Sequence, residues 1–169
     1  MQLFEHHTSS TGLKSFMQKI VSGGQTGVDR GALDAALELA FPCGGWCPTD
    51  RMAEDGRIDD RYPVVELSGA GYRQRTRQNV IDSDGTLVIY NGELSGGTRE
   101  TVRFCERLGK PFVALDALTV DEAAMVKQAL AFVAEHGVAV LNVAGPRASS
   151  WVDGHAVTQR VVRAIISGR

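Results

Sequence analysis

The chain has 169 residues, 43% of them apolar, and a formal net charge of −2 spread over mixed-sign side chains. That length supports one well-buried domain and is short for two, and the balanced charge excludes a global field drawing the protein to nucleic acid or an anionic membrane. No apolar run reaches the roughly 18 residues of a membrane span and the start lacks a signal-peptide apolar core, so a cytoplasmic protein whose anion sites are local is expected.

Residues 1–16 hold His6, His7 and a Ser-Ser-Thr-Gly cluster without periodicity, which predicts a flexible N-terminal tail ahead of a single domain over 17–169; Met17 is an alternative natural start. The adjacent histidines read as a solvated leader rather than a metal site. The first strand is expected at Lys19–Val21. It runs into Ser22-Gly23-Gly24-Gln25-Thr26-Gly27, and the alanine- and leucine-rich helical pattern from Val28 to about Ala40 follows at once. A strand, a glycine turn and a helix start in that order aim backbone N–H groups at an anion. The stretch matches neither G-x-G-x-x-G nor G-x-x-x-x-G-K-[ST], so neither a dinucleotide fingerprint nor a Walker loop is present, and a plain tight turn remains the alternative. Val28, Ala32, Ala35, Ala36 and Leu39 form the apolar side of this helix, while Arg30, Asp34 and Glu38 line the other. Asp29 and Arg30 sit in the first turn, within reach of whatever the loop holds.

Cys43 to Pro48 reads as a short strand entering an irregular segment of about fifteen residues, which concentrates Trp46, Thr49, Arg51, Glu54, Asp55, Arg57 and Arg61. Segments of that kind are commonly functional, and this one is available to cover a flat heterocycle. Cys43, Cys47 and Cys105 form no CxxC pair and no even disulfide framework, which fits reduced, semi-buried thiols better than a metal site. A helix over Gly71–Ser83 carries Arg73 and Arg77 on one face and Arg75 on another; Arg75 and Thr76 matter only if this helix borders the glycine loops. The strand Thr86–Tyr90 leads to a second glycine junction, Ser95-Gly96-Gly97-Thr98, and a helix to about Leu108. A strand at Pro111–Leu115 follows, then a capping box Thr119-Val120-Asp121-Glu122 opening a helix to about His136. A strand at Val138–Val143 and a last helix from about Asp153 end the chain, with Val157, Val161, Ala164 and Ile165 inward. His136 and His155 read as structural. The alternation predicts an α/β fold, a doubly wound parallel sheet of about five strands with helices on both faces.

Three strand ends then converge on one edge: Ser22–Gly27, Ser95–Thr98 and Asn142-Val143-Ala144-Gly145-Pro146-Arg147. Their donors, with the forked cation of Arg147, suit a phosphorylated or otherwise anionic small molecule. The candidate ligand-binding set is Gly23, Gly24, Gln25, Thr26, Gly27, Asp29, Arg30, Trp46, Arg51, Arg75, Ser95, Gly96, Gly97, Thr98, Asn142, Gly145 and Arg147. No G-x-S-x-G elbow, metal-ligand cluster or His–nucleophile pairing is evident. If the protein is an enzyme, Glu100 is the best acid or base, with Asp29 as a second carboxylate; at a helix N-terminus such a carboxylate is also simply stabilising.

The run Ile20–Arg30, Gly44-Gly45-Trp46-Cys47-Pro48, Ala53-Glu54-Asp55-Gly56, Arg75-Thr76-Arg77-Gln78-Asn79-Val80, Ser95–Thr98 and Leu141–Arg147 together resemble the molybdenum carrier family, the molybdenum cofactor carrier proteins, from Lys19 to the end of the chain. The resemblance implies a Rossmann-like fold, a homo-oligomer with a tetramer as one size, and binding or storage of molybdenum cofactor as cargo. That cofactor is a pterin carrying a phosphate and a molybdenum-bearing dithiolene, so no protein-ligated metal is implied; molybdoenzymes or cofactor-synthesis proteins would be the partners. A wider kinship reaches lysine-decarboxylase-like phosphoribohydrolases, whose glycine-threonine-glutamate loop looks like Gly96–Glu100, and keeps a nucleotide-cleaving enzyme as the alternative. One departure stands out: members commonly read Pro-Lys-Gly-Arg where this chain has Pro48-Thr49-Asp50-Arg51. If that lysine faces an anionic ligand, the added carboxylate shifts ligand choice.

Overall fold

The computed structural model describes residues 17–168; the expected tail, with His6 and His7, lies outside them. In chain order the elements are β1 (Lys19–Val21), α1 (Val28–Glu38), β2 (Cys43–Gly44), β3 (Trp46–Cys47), a 3-10 turn (Thr49–Arg51), β4 (Met52–Ala53), β5 (Gly56–Arg57), β6 (Val65–Glu66), α2 (Tyr72–Ile81), β7 (Gly85–Tyr90), α3 (Gly96–Leu108), β8 (Phe112–Asp116), α4 (Glu122–His136), β9 (Val140–Ala144) and α5 (Gly154–Ser167). Five of the strands form one parallel sheet in the order β2-β1-β9-β7-β8, which is the expected fold class.

Right-handed crossovers decide which face each helix takes. Connections that step one way along the sheet, from β1 to β2 and from β8 back to β9, carry α1 and α4, and both pack with α5 on one face. Connections that step the other way, from β2 to β7 and from β7 to β8, carry α2 and α3, which pack together on the opposite face. The main core lies under the first group, where Ile20, Leu87, Ile89, Leu141 and Val143 meet Ala32, Met125, Phe132 and Ile165. A smaller cluster of Val80, Phe104 and Cys105 lies under the second. Strand residues alternate between the faces: on the α2–α3 side Asn142 Nδ2 donates to Thr86 Oγ1 at 3.2 Å.

If β9 and α5 are counted first, the sheet order becomes 3-2-1-4-5, the doubly wound arrangement. The strand order then reverses between β9 and β7, and their paired register runs from Gly85↔Leu141 to Val88↔Ala144. Gly145 closes this junction, since a Cβ there would come within 2.2 Å of the Ile89 carbonyl oxygen.

Several expectations shift by a turn or a residue. Leu39 is 37% exposed, and Leu33 is instead fully buried, in a third cluster with Cys47, Ala53, Ile58, Tyr62 and Val64. Helix α4 is capped by Asp121, whose Oδ1 accepts from the Ala124 amide at 2.8 Å, rather than by Thr119. The cause is Asp116: its Oδ1 takes the Gly92 and Leu118 amides at 2.7 and 2.9 Å, holding the chain in a turn past Thr119. The segment after Cys47 is not an open loop. Arg51 holds it together by donating to four carbonyl oxygens, those of Ile58, Val64, Asp59 and Tyr62, at 2.7 to 3.1 Å.

Candidate functional site

A cavity of about 580 Å³ opens at the carboxyl edge of the sheet, across the reversal between β9 and β7, where open α/β sheets hold ligands. Its walls come from the three glycine-bearing strand ends and from one face of α2. Among the candidates, Gly23, Gln25, Asp29 and Arg75 line one side, Ser95 to Thr98 with Glu100 the other, and Asn142, Gly145 and Arg147 the floor between them.

The two helix starts facing this edge differ. At α1 the chain itself occupies the N-terminus: Val28 N donates to the Pro146 carbonyl at 3.2 Å, and Gln25 N to Asp29 Oδ2 at 3.2 Å. Asp29 is thus the carboxylate that the first glycine loop holds. It is 6% exposed, and Arg75 Nη1 donates to the same oxygen at 3.3 Å. Burial pushes its carboxyl above the usual range, against the pull of Arg75 and the Gln25 amide. At α3 the N-terminus is open. Ser95 makes no side-chain cap bond, and among the described residues no acceptor takes the amides of Gly96, Gly97 or Thr98. A Cβ at Gly96 or Gly97 would meet nothing within 4 Å, so the approach is open, and three amides with the helix dipole behind them favour an anion there.

The charges around the cavity are largely paired. Arg73 Nε donates to Glu100 Oε1 at 3.0 Å, and Arg147 lies 3.5 Å from Glu54 with its side chain 54% exposed. Glu54 lies outside the lining but ties three loops together. Its carboxylate accepts from Thr26 Oγ1, from Ser149 Oγ at 2.5 Å and from Ser149 N at 3.1 Å, while its own amide donates to Gln25 Oε1 at 2.9 Å. Those bonds hold the Glu54 carboxyl below the usual range.

Six candidates stand outside the cavity lining, each with a local role. Gly24 and Gly27 have φ near +80°, and a Cβ on Gly27 would come within 2.5 Å of the Pro146 carbonyl oxygen. Thr26 joins the Glu54 network and accepts from Ala148 N at 3.0 Å. Arg30 forks onto Asp55 at 2.5 and 2.7 Å, and Arg51 orders the segment after Cys47. Trp46 is pinned by Asn79 and donates Nε1 to Asp82 at 2.7 Å; none of the residues 46–61 lines the cavity. The altered Thr49-Asp50 pair is likewise remote. Asp50 has φ +62°, a conformation that glycine adopts freely and aspartate tolerates, so the departure from Lys-Gly bears on a turn. The aromatic surfaces that do line the cavity are Tyr72 and Trp151. Tyr72 was legible in the spacing: Tyr72, Arg75, Thr76 and Asn79 stand at i, i+3, i+4 and i+7, one face of α2.

Among the described residues no group of three His, Cys, Asp or Glu side chains is placed to hold a metal ion, and no helix is long and apolar enough to cross a membrane. The cysteines are unpaired, and burial raises the thiols of Cys47 and Cys105. His155 Nε2 lies 2.6 Å from Asp34 Oδ2, joining α5 to α1 outside the cavity.

No curated protein matches the chain. Among solved structures, that of "Putative molybdenum carrier protein" from Syntrophus aciditrophicus matches with a TM-score of 0.88 and 38% sequence identity, covering 90% of this chain and 96% of that one. The match agrees with the family resemblance carried by the motifs. Residues 20–166 match the family described as circularly permutated YpsA SLOG, and the permutation is visible as the central strand β9 supplied from the end of the chain. On this sequence match, this sheet order and this structural likeness, the chain belongs to the circularly permuted YpsA SLOG family.

Proposed function

We propose that the chain binds a phosphorylated, anionic small molecule in the cleft at the sheet edge and carries it without chemical change, with molybdenum cofactor as the leading candidate. The observation that carries this reading is the open N-terminus of α3, three unpartnered amides facing a cavity of about 580 Å³ at the strand-order reversal. That volume lies within the range of small-molecule pockets. In this reading Ser95 to Thr98 hold the phosphate, and Arg147, more exposed than Arg75, swings onto it from its loose contact with Glu54. The carrier name of the similar protein supports the choice of cargo. Titration with isolated molybdenum cofactor is expected to show saturable binding that Thr98→Glu weakens at least about tenfold, because it adds a charge and bulk to the phosphate seat. Absence of both binding and protection of the cofactor overturns the reading.

A second reading rests on Glu100, which lines the same cavity one turn into α3. A carboxylate there suits acid–base or charge-stabilising work in cleaving the N-glycosidic bond of a nucleoside monophosphate. Release of free base from such nucleotides, abolished in Glu100→Gln with binding retained, selects this alternative.

A further inference from the structure

Asp29 is the most buried carboxylate of the cavity wall. It is 6% exposed, yet its two hydrogen bonds, from Gln25 N at 3.2 Å and Arg75 Nη1 at 3.3 Å, are both long and both fall on Oδ2. The Ser22 hydroxyl and the Gly23 amide also lie near the carboxyl and pull it down, but Ser22 gives its proton to the Val143 carbonyl at 2.7 Å, and among the described residues both direct bonds to Asp29 fall on Oδ2. An ionised carboxylate accepts up to about four hydrogen bonds, and Oδ1, which is not a buried atom without a partner, keeps its capacity for a ligand in the cleft. The countercharge cannot easily turn to supply more. Arg75 lies across Gly23, where even a Cβ would come within 1.6 Å of Nη1, and its guanidinium is 5.7 Å from the Tyr72 ring centroid. Tyr72, Arg75 and Asp29 therefore follow one another along one wall, an aromatic face leading to a carboxylate. The open start of α3 follows β7 and the Asp29 loop follows β1, with β9 between them, so the two ends of the cavity stand two strand spacings apart, roughly 9–10 Å.

Resting on the phosphate-binding reading above, we infer that the cavity selects a planar heterocycle presenting two adjacent donors, a ring N–H beside an exocyclic NH2, to Asp29, with Tyr72 along its face and the phosphate at α3. The edge that meets this requirement is the 2-amino-4-oxopyrimidine ring shared by pterins and guanine. Its two parallel N–H groups match the two oxygens of a carboxylate. Hypoxanthine offers one donor for Oδ1 and none to join the two long bonds on Oδ2, and adenine turns a ring lone pair towards the carboxylate.

The test is calorimetric titration of the intact protein with guanosine, inosine and adenosine 5′-monophosphates, and with 6-hydroxymethylpterin beside its 2-oxo lumazine counterpart. At least about tenfold preference for the 2-amino member of either pair supports the inference, since the competitor forgoes one hydrogen bond to a charged group; which pair shows it identifies the source as nucleotide or pterin. Equal binding of the three nucleotides, with no preference between the pterin and lumazine, overturns the inference and leaves the phosphate-binding reading standing. No binding of any probe overturns this inference, whereas cofactor titration decides the phosphate reading separately. In Asp29→Asn the preference is expected to collapse to under about threefold; a folded variant that keeps it, judged by circular dichroism, removes Asp29 from the role. If that variant does not fold, the wild-type comparison alone decides.

Discussion

Gly23 and Arg75 occupy one space between them, and this is the tightest residue-scale constraint on the cleft. A methyl group at position 23 displaces the guanidinium and leaves Asp29 buried without its countercharge. Gly23→Ala is therefore expected to destabilise the protein by about 1–3 kcal/mol and to weaken ligand binding, read from urea melts and titration of the same preparation. Glu54 carries a different dependence. Its carboxyl lies below the ordinary range because Ser149 and Thr26 donate to it, so its contribution to stability is present above the ordinary carboxylate value and is lost as pH falls through the lowered one. Melting temperatures from about pH 6 to about pH 3 are expected to fall more steeply in wild type than in Glu54→Gln; parallel curves remove Glu54 from the account. At this scale the sequence was informative where small residues cluster. Gly23 and Arg75 could be singled out from turn chemistry and helix spacing, but their contact joins positions 23 and 75, and the bond from Arg75 to Asp29 spans 46 positions. Trp46, expected to face the ligand, donates to Asp82, 36 positions away in sequence, a pairing that spacing alone does not show.

The helices show which part of a glycine loop pattern carries meaning. Both α1 and α3 follow a strand and a pair of glycines, and the sequence treats them alike. The difference lies in Pro146 and Asp29, which occupy the start of α1, while nothing among the described residues occupies α3. Ser95→Asp separates helix stability from anion binding. An aspartate cap stabilises α3 by roughly 0.3–1 kcal/mol through the helix dipole, yet its charge opposes an anion at the same place. A higher melting temperature together with binding weakened about tenfold is the expected pair of results, checked by thermal denaturation and titration. A variant that gains stability and binds as wild type removes the phosphate from α3. Helix extents were legible within a residue or two, because apolar spacing and caps are local. The short pieces between Trp46 and Glu66 were not, since their strands are two residues long and side-chain bonds from Arg51 hold the segment together.

For the whole molecule, the β–α alternation was legible but the strand order was not. Periodicity says that a segment is a buried strand; it does not say that β9 inserts between β1 and β7. That placement is fixed by pairings such as Ile20↔Leu141 and Thr86↔Asn142, far apart in the chain. If the sheet order is the essential feature, the chain's own starting point is not. A permutant with residues 138–168 placed before residues 17–137 through a flexible linker opens the chain at Gly137, an exposed left-handed helix end. It is expected to fold with the same cavity and to bind the same probe, as measured by circular dichroism and titration; loss of cooperative melting contradicts this.

The position of β9 also sets an order of events at the ribosome. The strand at the centre of the sheet is synthesised after all four of its sheet companions, so the nascent chain first holds β1 with β2 and β7 with β8 as two pairs lacking their shared neighbour. Each pair presents an open edge, on β1 and on β7, until β9 emerges, and open strand edges recruit other chains. A stalled or truncated product ending before Val140 therefore has two adhesive edges and neither the floor of the cleft nor α5 to cover the core.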